Sequence, residues 1–361
     1  MRKIQRANKV DKTVKQVIKK AKEPVSIKRK NVDPNMLIPT PSTTFNLECS
    51  GRIEGAFQIG KTANLIGDSH SGKTLFALSM LAECSHNSRF DGFDLIYHDV
   101  EEANEFDIPY MFGKKTDSRL IYDVRGSLFE EFSDNIGRLL SGNRPFIYVL
   151  DSFDALDTEA SRKKDEENRK KREKGSKTDG EYGDGKAKLM SAFFRHYNDD
   201  LKAHGSSLII VSQTRDNIGF GAMFAPKTRS GGKALKFYAC HEVWLATQKK
   251  EKIGKRTYIT NVQAKITKNK LTGRHGEALF PILFDYGIDN IASCIKFLMD
   301  EGGWTGSKRA INSKEFVDTM SYDELVKHIE ENDLEENLAL CCQEAYNNVF
   351  AKLTPQRKRK Y

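Results

Sequence analysis

An α/β fold, with a mostly parallel twisted sheet flanked by helices, is predicted by two observations. Short β-rich runs alternate with helical patterns across positions 36–300. The runs are continuously apolar, as in strands covered on both faces. The strand candidates are Ala63-Asn64-Leu65-Ile66, Leu95-Ile96-Tyr97-His98, Phe146-Ile147-Tyr148-Val149-Leu150 and Leu208-Ile209-Ile210-Val211. Helical patterns lie between them, near 74–84, 127–141 and 186–204. In the last, Leu189, Phe193, Tyr197 and Leu201 repeat every four residues, which sets one apolar face.

Around this core the elements read in order. Val10, Val14, Val17, Ile18 and Ala21 recur at helical spacing before Pro24, followed by the extended Val25-Ser26-Ile27. Residues 1–36 are thus expected to form a basic helix and linker, the alternative being a solvated tail. After the fourth core strand, β-like runs follow at 243–246, 257–263 and 280–284, with a hairpin turn at Lys252-Ile253-Gly254-Lys255. Residues 37–300 are read as the core. Its insertion at 161–185 has almost no apolar residue and is expected to be mobile. Residues 301–361 are read as a small helical region with a basic tail at 354–361.

The net charge of +9 is unevenly placed. Positions 1–40 carry +9, 161–180 carry +4 and 354–361 carry +4, leaving −8 for the remainder. A mildly acidic body with basic appendages is not a uniformly basic coat protein. The six cysteines form no metal-binding spacing, and free thiols in a reducing cytoplasm are expected. No apolar run approaches the roughly 20 residues of a membrane helix.

The strongest motif is Gly67-Asp68-Ser69-His70-Ser71-Gly72-Lys73-Thr74, which fits the P-loop pattern between a strand and a helix. Its glycines let backbone N–H groups turn inward on phosphate oxygens, and the following helix adds its positive dipole end. Lys73 is expected to reach the β- and γ-phosphates, and Thr74 to place a hydroxyl on Mg²⁺. Asp151 closes a strand and supplies the metal-side carboxylate. Asp99-Val100-Glu101-Glu102 closes another, so Glu101 or Glu102 is the candidate base. ATP and Mg²⁺ are the expected cofactors.

Beyond the P-loop, Ser212-Gln213-Thr214-Arg215 closes a strand, a glycine-rich segment follows, and Ser230-Gly231-Gly232-Lys233-Ala234-Leu235-Lys236-Phe237-Tyr238-Ala239 comes next. This resembles the RecA recombinases, in which a strand ending in Asn-Gln leads into a mobile DNA-binding loop. That loop ends in Gly-Gly before an Ala-Leu-Lys-Phe-Tyr-Ala helix. Thr267-Lys268-Asn269-Lys270-Leu271 looks like the family's Lys-Asn-Lys strand, and Phe284-Asp285-Tyr286-Gly287-Ile288 resembles its Tyr-Gly-Glu-Gly-Ile. The resemblance runs from about Ile38 to Trp304. Two departures stand out: a longer, more charged segment after Asp151, where the family's first DNA-channel loop begins, and Ser212 in place of the family's asparagine. They suggest a divergent, phage-type member.

The resemblance implies roles. The family's Asp-Ala-Glu falls on Asp99-Val100-Glu101, so Glu101 is preferred as the group that polarises water. Gln213 falls on the γ-phosphate sensor, and Tyr110 on the tyrosine that stacks on adenine. Lys268 and Lys270 fall on lysines that reach the neighbouring protomer's nucleotide. DNA contacts are expected from Arg215, Phe220, Phe224, Lys227, Arg229, Gly231, Gly232 and Lys233. The implied function is an ATP-dependent recombinase, a DNA-dependent ATPase forming filaments on single-stranded DNA and pairing it with double-stranded DNA. Single-strand-binding or loader proteins are expected partners, with a cytoplasmic, nucleoid-associated location in a bacterial or phage-infected cell. The alternatives are a ring helicase or translocase on the same core, and an ATP-switched repair mediator.

Overall fold

The structure, a computed structural model, describes residues 32–122, 124, 126–174, 184–216, 227–229, 232–313, 317–355 and 357. The predicted N-terminal helix lies outside these residues. Two short strands, β1 (Leu37–Ile38) and β2 (Phe57–Gln58), pair beside a helix at Thr43–Ser50. The main sheet begins with β3 (Thr62–Gly67), which runs into the helix Lys73–His86. Then come β4 (Asp94–Asp99), the helix Ile108–Arg119, β5 (Leu120–Ile121), the helix Phe129–Leu140 and β6 (Phe146–Asp151). After the helices Glu159–Glu173 and Asp184–His204 come β7 (Ser207–Asp216) and β8 (Lys227–Arg229), followed by the helix Gly232–Tyr238. Four more strands complete the sheet: β9 (His241–Ile253), β10 (Arg256–Asn269), β11 (Glu277–Leu283) and β12 (Gly287–Ile288).

The strand order is β12-β11-β10-β9-β3-β7-β6-β4-β5, with β8 paired to β7. The six strands from β9 to β5 are parallel, and β10 to β12 add antiparallel pairs on one side. Burial on both faces explains the continuous apolar runs, because side chains alternate between two layers. Leu65, Ile147, Val149, Ile209 and Val211 pack on the side of the Lys73–His86 helix. Phe146, Tyr148, Leu150, Leu208 and Ile210 pack on the opposite side with Phe132, Phe193 and Phe194.

Two expectations need correction. The charged segment from 161 was expected to be mobile, yet Glu159–Glu173 is helical. Thr158 caps it by accepting from the Ser161 N–H, and Lys163–Glu159 and Arg169–Glu173 pair at i,i+4. Helix formation there needs no apolar face, because capping, strong helix formers and ion pairs act locally. The remainder of the insertion, 175–183, lies outside the described residues. Second, the C-terminal region is not purely helical. After the helix Asn290–Asp300, β13 (Thr305–Ser307), β14 (Ala310–Ser313) and β15 (Val317–Met320) form an antiparallel sheet ahead of the helices Tyr322–Glu331 and Glu335–Leu353. Trp304, Ile311, Leu325 and Tyr346 of this region pack in one cluster with Leu298 and with Leu47 of the Thr43–Ser50 helix.

The C-terminal ends of β3, β6 and β4 lie on one edge of the sheet, and β7 runs on past them to Asp216. Gly67 lies beside Gln213, and Asp99 beside Asp151. Open parallel sheets place ligands at this edge.

Candidate functional site

The phosphate loop follows directly from β3. A side chain at Gly67 would place its Cβ 2.4 Å from Ser71 Oγ and 2.5 Å from the Leu245 carbonyl, so glycine is needed. Gly72 has a φ of +84°, and a Cβ there would meet Ile282 Cδ1 at 2.7 Å. Lys73 is buried and its Nζ donates to the carbonyls of Gly67, at 2.9 Å, and Asp68, at 2.7 Å. Burial pulls its pKa down, against the pull of Asp151 and Asp68. The ammonium is therefore held inside the loop by main-chain oxygens and nearby carboxylates.

Thr74 lies in the first turn of the helix and donates to Asp151 Oδ2 at 2.7 Å. Tyr97 donates to the same oxygen at 3.0 Å. Burial pushes the Asp151 carboxyl up from its ordinary range. A buried carboxylate beside a hydroxyl gains from a nearby cation, and both are hard oxygen donors. The pair thus fits a divalent metal, for which both residues would be ligands.

Glu101 stands beyond the end of β4. Its Oε1 accepts from Ser152 Oγ at 2.7 Å and from Gln213 Nε2 at 3.1 Å. Gln213 is held in turn, since its backbone N–H donates to Asp154 Oδ2 at 2.7 Å. Glu102, the other candidate base, has a φ of +50° and does not line the cleft. The cleft, about 690 Å³, is lined by His70–Leu75, Tyr97, Asp99, Glu101, Asp151, Phe106, Met111 and residues 282–285 of β11 and its following turn. Asp68 and Ser69 do not line it. Tyr110 is 70% exposed and also stands outside this lining.

The candidate DNA residues cluster beside this cleft only in part. Thr214, Arg215 and Asp216 of β7 pair with Arg229, Thr228 and Lys227 of β8, giving a hairpin stem. Arg215 lies 3.6 Å from Asp154, and Lys227 pairs with Asp68. Gly232 begins a helix. Phe220, Phe224 and Gly231 lie outside the described residues, as do the side chains of Arg229 and Lys233. Lys268 and Lys270 stand elsewhere. Asn269 pairs with His241, which pairs with Ala63, so these lysines lie at the opposite end of the sheet from Gly67. The separation is roughly 13 Å along β3, from four residues of extended chain. Lys268 Nζ donates to the Phe237 carbonyl at 3.1 Å and Lys270 Nζ to the same carbonyl at 2.8 Å.

Sequence reasoning missed Tyr97, Ser152, Asp154 and Thr214. Tyr97 carried a signal, because it shares its strand face with Asp99 two residues later. Asp154 and Thr214 carried none, since their partners are distant in sequence.

The chain matches the model of the RecA N-terminal domain over residues 8–289. It is 29% identical over 292 residues to Protein RecA of Oleidesulfovibrio alaskensis, covering 78% of this chain and 77% of that protein. It is 30% identical over 274 residues to Protein RecA of Mycobacterium ulcerans, covering 74% and 71%. It is also 30% identical over 271 residues to Protein RecA of Cutibacterium acnes, covering 73% and 70%.

Proposed function

From the fact that this chain belongs to the RecA family, we propose a division of labour among the residues at its cleft. The protein is an ATP-dependent DNA recombinase and a DNA-dependent ATPase; it binds DNA and forms oligomeric filaments. Family membership disfavours the ring helicase and the switched mediator.

Lys73 and the loop N–H groups of residues 67–74 neutralise the phosphates. Thr74 and Asp151 would hold the metal, which we take to be Mg²⁺ and which would neutralise phosphate charge. Glu101 Oε1 orients water and takes its proton. Gln213 ties that carboxylate to β7, whose end pairs with β8 at the base of the proposed DNA-binding loop. Arg215 and Lys227, with Arg229, Gly232 and Lys233 beside them, offer phosphate contacts. Phe220 and Phe224 offer stacking faces, and Tyr110 a face for adenine. Lys268 and Lys270 act on a neighbour's nucleotide, a reading supported by their distance from this chain's own phosphate loop.

We further assign residues 1–36 to contact between protomers, 37–300 to the ATPase core and 301–361 to a separate small region. No helix among the described residues is long and apolar enough to cross a membrane. The proposed setting is the cytoplasm, at the nucleoid, with single-strand-binding or loader proteins as partners.

The observation that carries the division is the convergence of two bonds, Thr74–Asp151 and Gln213–Glu101, at one sheet edge. A D-loop assay tests it as a whole. Wild-type protein should pair a single strand with homologous duplex when ATP is present, and ATP turnover measured alongside should be strongly reduced in Thr74→Ala and Glu101→Gln protein. Full turnover by both variants would overturn the assignment.

A further inference from the structure

Residue 68 places a negative charge on a loop built to receive anions. Like charge beside a phosphate site opposes binding, so a carboxylate there calls for a partner. Asp68 has two, and neither is local. The Thr214 hydroxyl donates to its Oδ1 and the Lys227 ammonium donates to its Oδ2, across 146 and 159 residues of sequence. The Lys227 bond is the main reason that the Asp68 carboxyl sits below its ordinary range, followed by the Thr214 bond.

The two partners occupy the two strands of one stem. Thr214 lies on β7 and Lys227 on β8, where Asp216 faces Lys227 and Thr214 faces Arg229. Asp68 therefore clasps both sides of the hairpin. The same residue also holds the phosphate-loop cation, because its carbonyl accepts from Lys73 Nζ at 2.7 Å. One residue thus grips the nucleotide lysine by its main chain and the stem lysine by its side chain. This route is separate from the one through Gln213, which runs to Glu101 and Asp154.

We propose that Asp68 is an intramolecular competitor for Lys227. Its carboxylate occupies the ammonium that a DNA phosphate would otherwise take, so strand binding must displace it. Nucleotide phosphates on the same loop repel that carboxylate and so favour its displacement. The link makes DNA affinity depend on nucleotide through charge alone. It rests on the reading that Lys227 meets the DNA backbone.

A double-mutant cycle tests it. Affinity for a fluorescent oligothymidylate is measured by anisotropy at fixed salt, without nucleotide and with a non-hydrolysable ATP analogue. The proteins are wild type, Asp68→Asn, Lys227→Ala and the double variant. Without nucleotide, Asp68→Asn should bind about two- to fivefold more tightly, the range of an exposed ion pair. That gain should vanish in the Lys227→Ala background, and the gap between the two nucleotide conditions should narrow in Asp68→Asn. An equal gain in both backgrounds would mean that bulk charge alone is at work and would overturn the proposal, as would no gain in either. Lys227→Ala binding as tightly as wild type with the analogue would instead overturn the reading beneath it. Thermal melts establish that each variant is folded, and Asp68→Ser repeats the cycle if Asp68→Asn is not.

Discussion

The side-chain amide of Gln213 donates to the carboxylate of Glu101 across 3.1 Å, linking the end of β7 to the loop after β4. The same oxygen accepts from Ser152 at 2.7 Å, so Glu101 is aimed by donors from two neighbouring strand ends. Replacing it by glutamine keeps the shape and removes the base. Glu101→Gln should lower ATP turnover by about 10²- to 10⁴-fold, the usual range for general-base catalysis. Nucleotide affinity should change little. Phosphate release and binding of a fluorescent nucleotide separate the two, and unchanged turnover would sink the assignment of Glu101.

Gly67 is required by space and not only by flexibility. A methyl there would overlap Ser71 Oγ and the Leu245 carbonyl, and one of these is backbone of the adjacent strand. Gly67→Ala should therefore abolish measurable nucleotide binding by displacing the loop, while far-UV circular dichroism stays near wild type. Retained nucleotide affinity would show that the loop can shift at little cost.

Lys268 lies at the far end of the sheet from its own phosphate loop and is anchored on the carbonyls of Lys236 and Phe237. If it serves a neighbour, two defective proteins can repair each other. Lys268→Ala supplies an intact phosphate loop, and Lys73→Ala supplies an intact Lys268. Each alone should show strongly reduced DNA-stimulated turnover, and an equal mixture should recover part of it. A mixture no more active than its components would contradict action between protomers.

Legibility in the sequence followed the range of the interactions. The strand-loop-helix around Lys73 was readable because its spacing is local. The sheet was readable because burial on both faces leaves unbroken apolar runs such as Phe146 to Leu150. The β9–β10 hairpin was underestimated. Its strands run to Ile253 and back from Arg256, past the end of the sheet, where Lys249, Lys250 and Lys252 carry no apolar pattern. The helix at Glu159–Glu173 was misread for a related reason: composition registers the missing apolar face but not the i,i+4 pairs. The Asp68–Lys227 link could not be read at all, since nothing in the sequence aligns residues 159 positions apart.

His241 gives a test of burial energetics in the core. It pairs with Ala63 of β3 and Asn269 of β10, is 0% exposed, and packs edge-on against Phe57 at 5.4 Å. Burial lowers its pKa from 6.5 to about 4. Below pH 6.5 the unfolded chain therefore binds a proton that the folded chain refuses. Stability from this residue is full above pH 6.5 and is lost as the pH falls toward 4, by up to roughly 3 kcal/mol. Glu48, raised to about 7 chiefly by burial, acts in the opposite sense between pH 4.5 and 7. A single stability curve mixes these contributions, whereas a difference curve isolates one. Urea unfolding of wild type and His241→Leu, from pH 7.5 to 4.5, should diverge steadily below pH 6.5, with the variant losing less. Parallel curves would show that the imidazole is protonated in the folded protein and that the strand accommodates its charge.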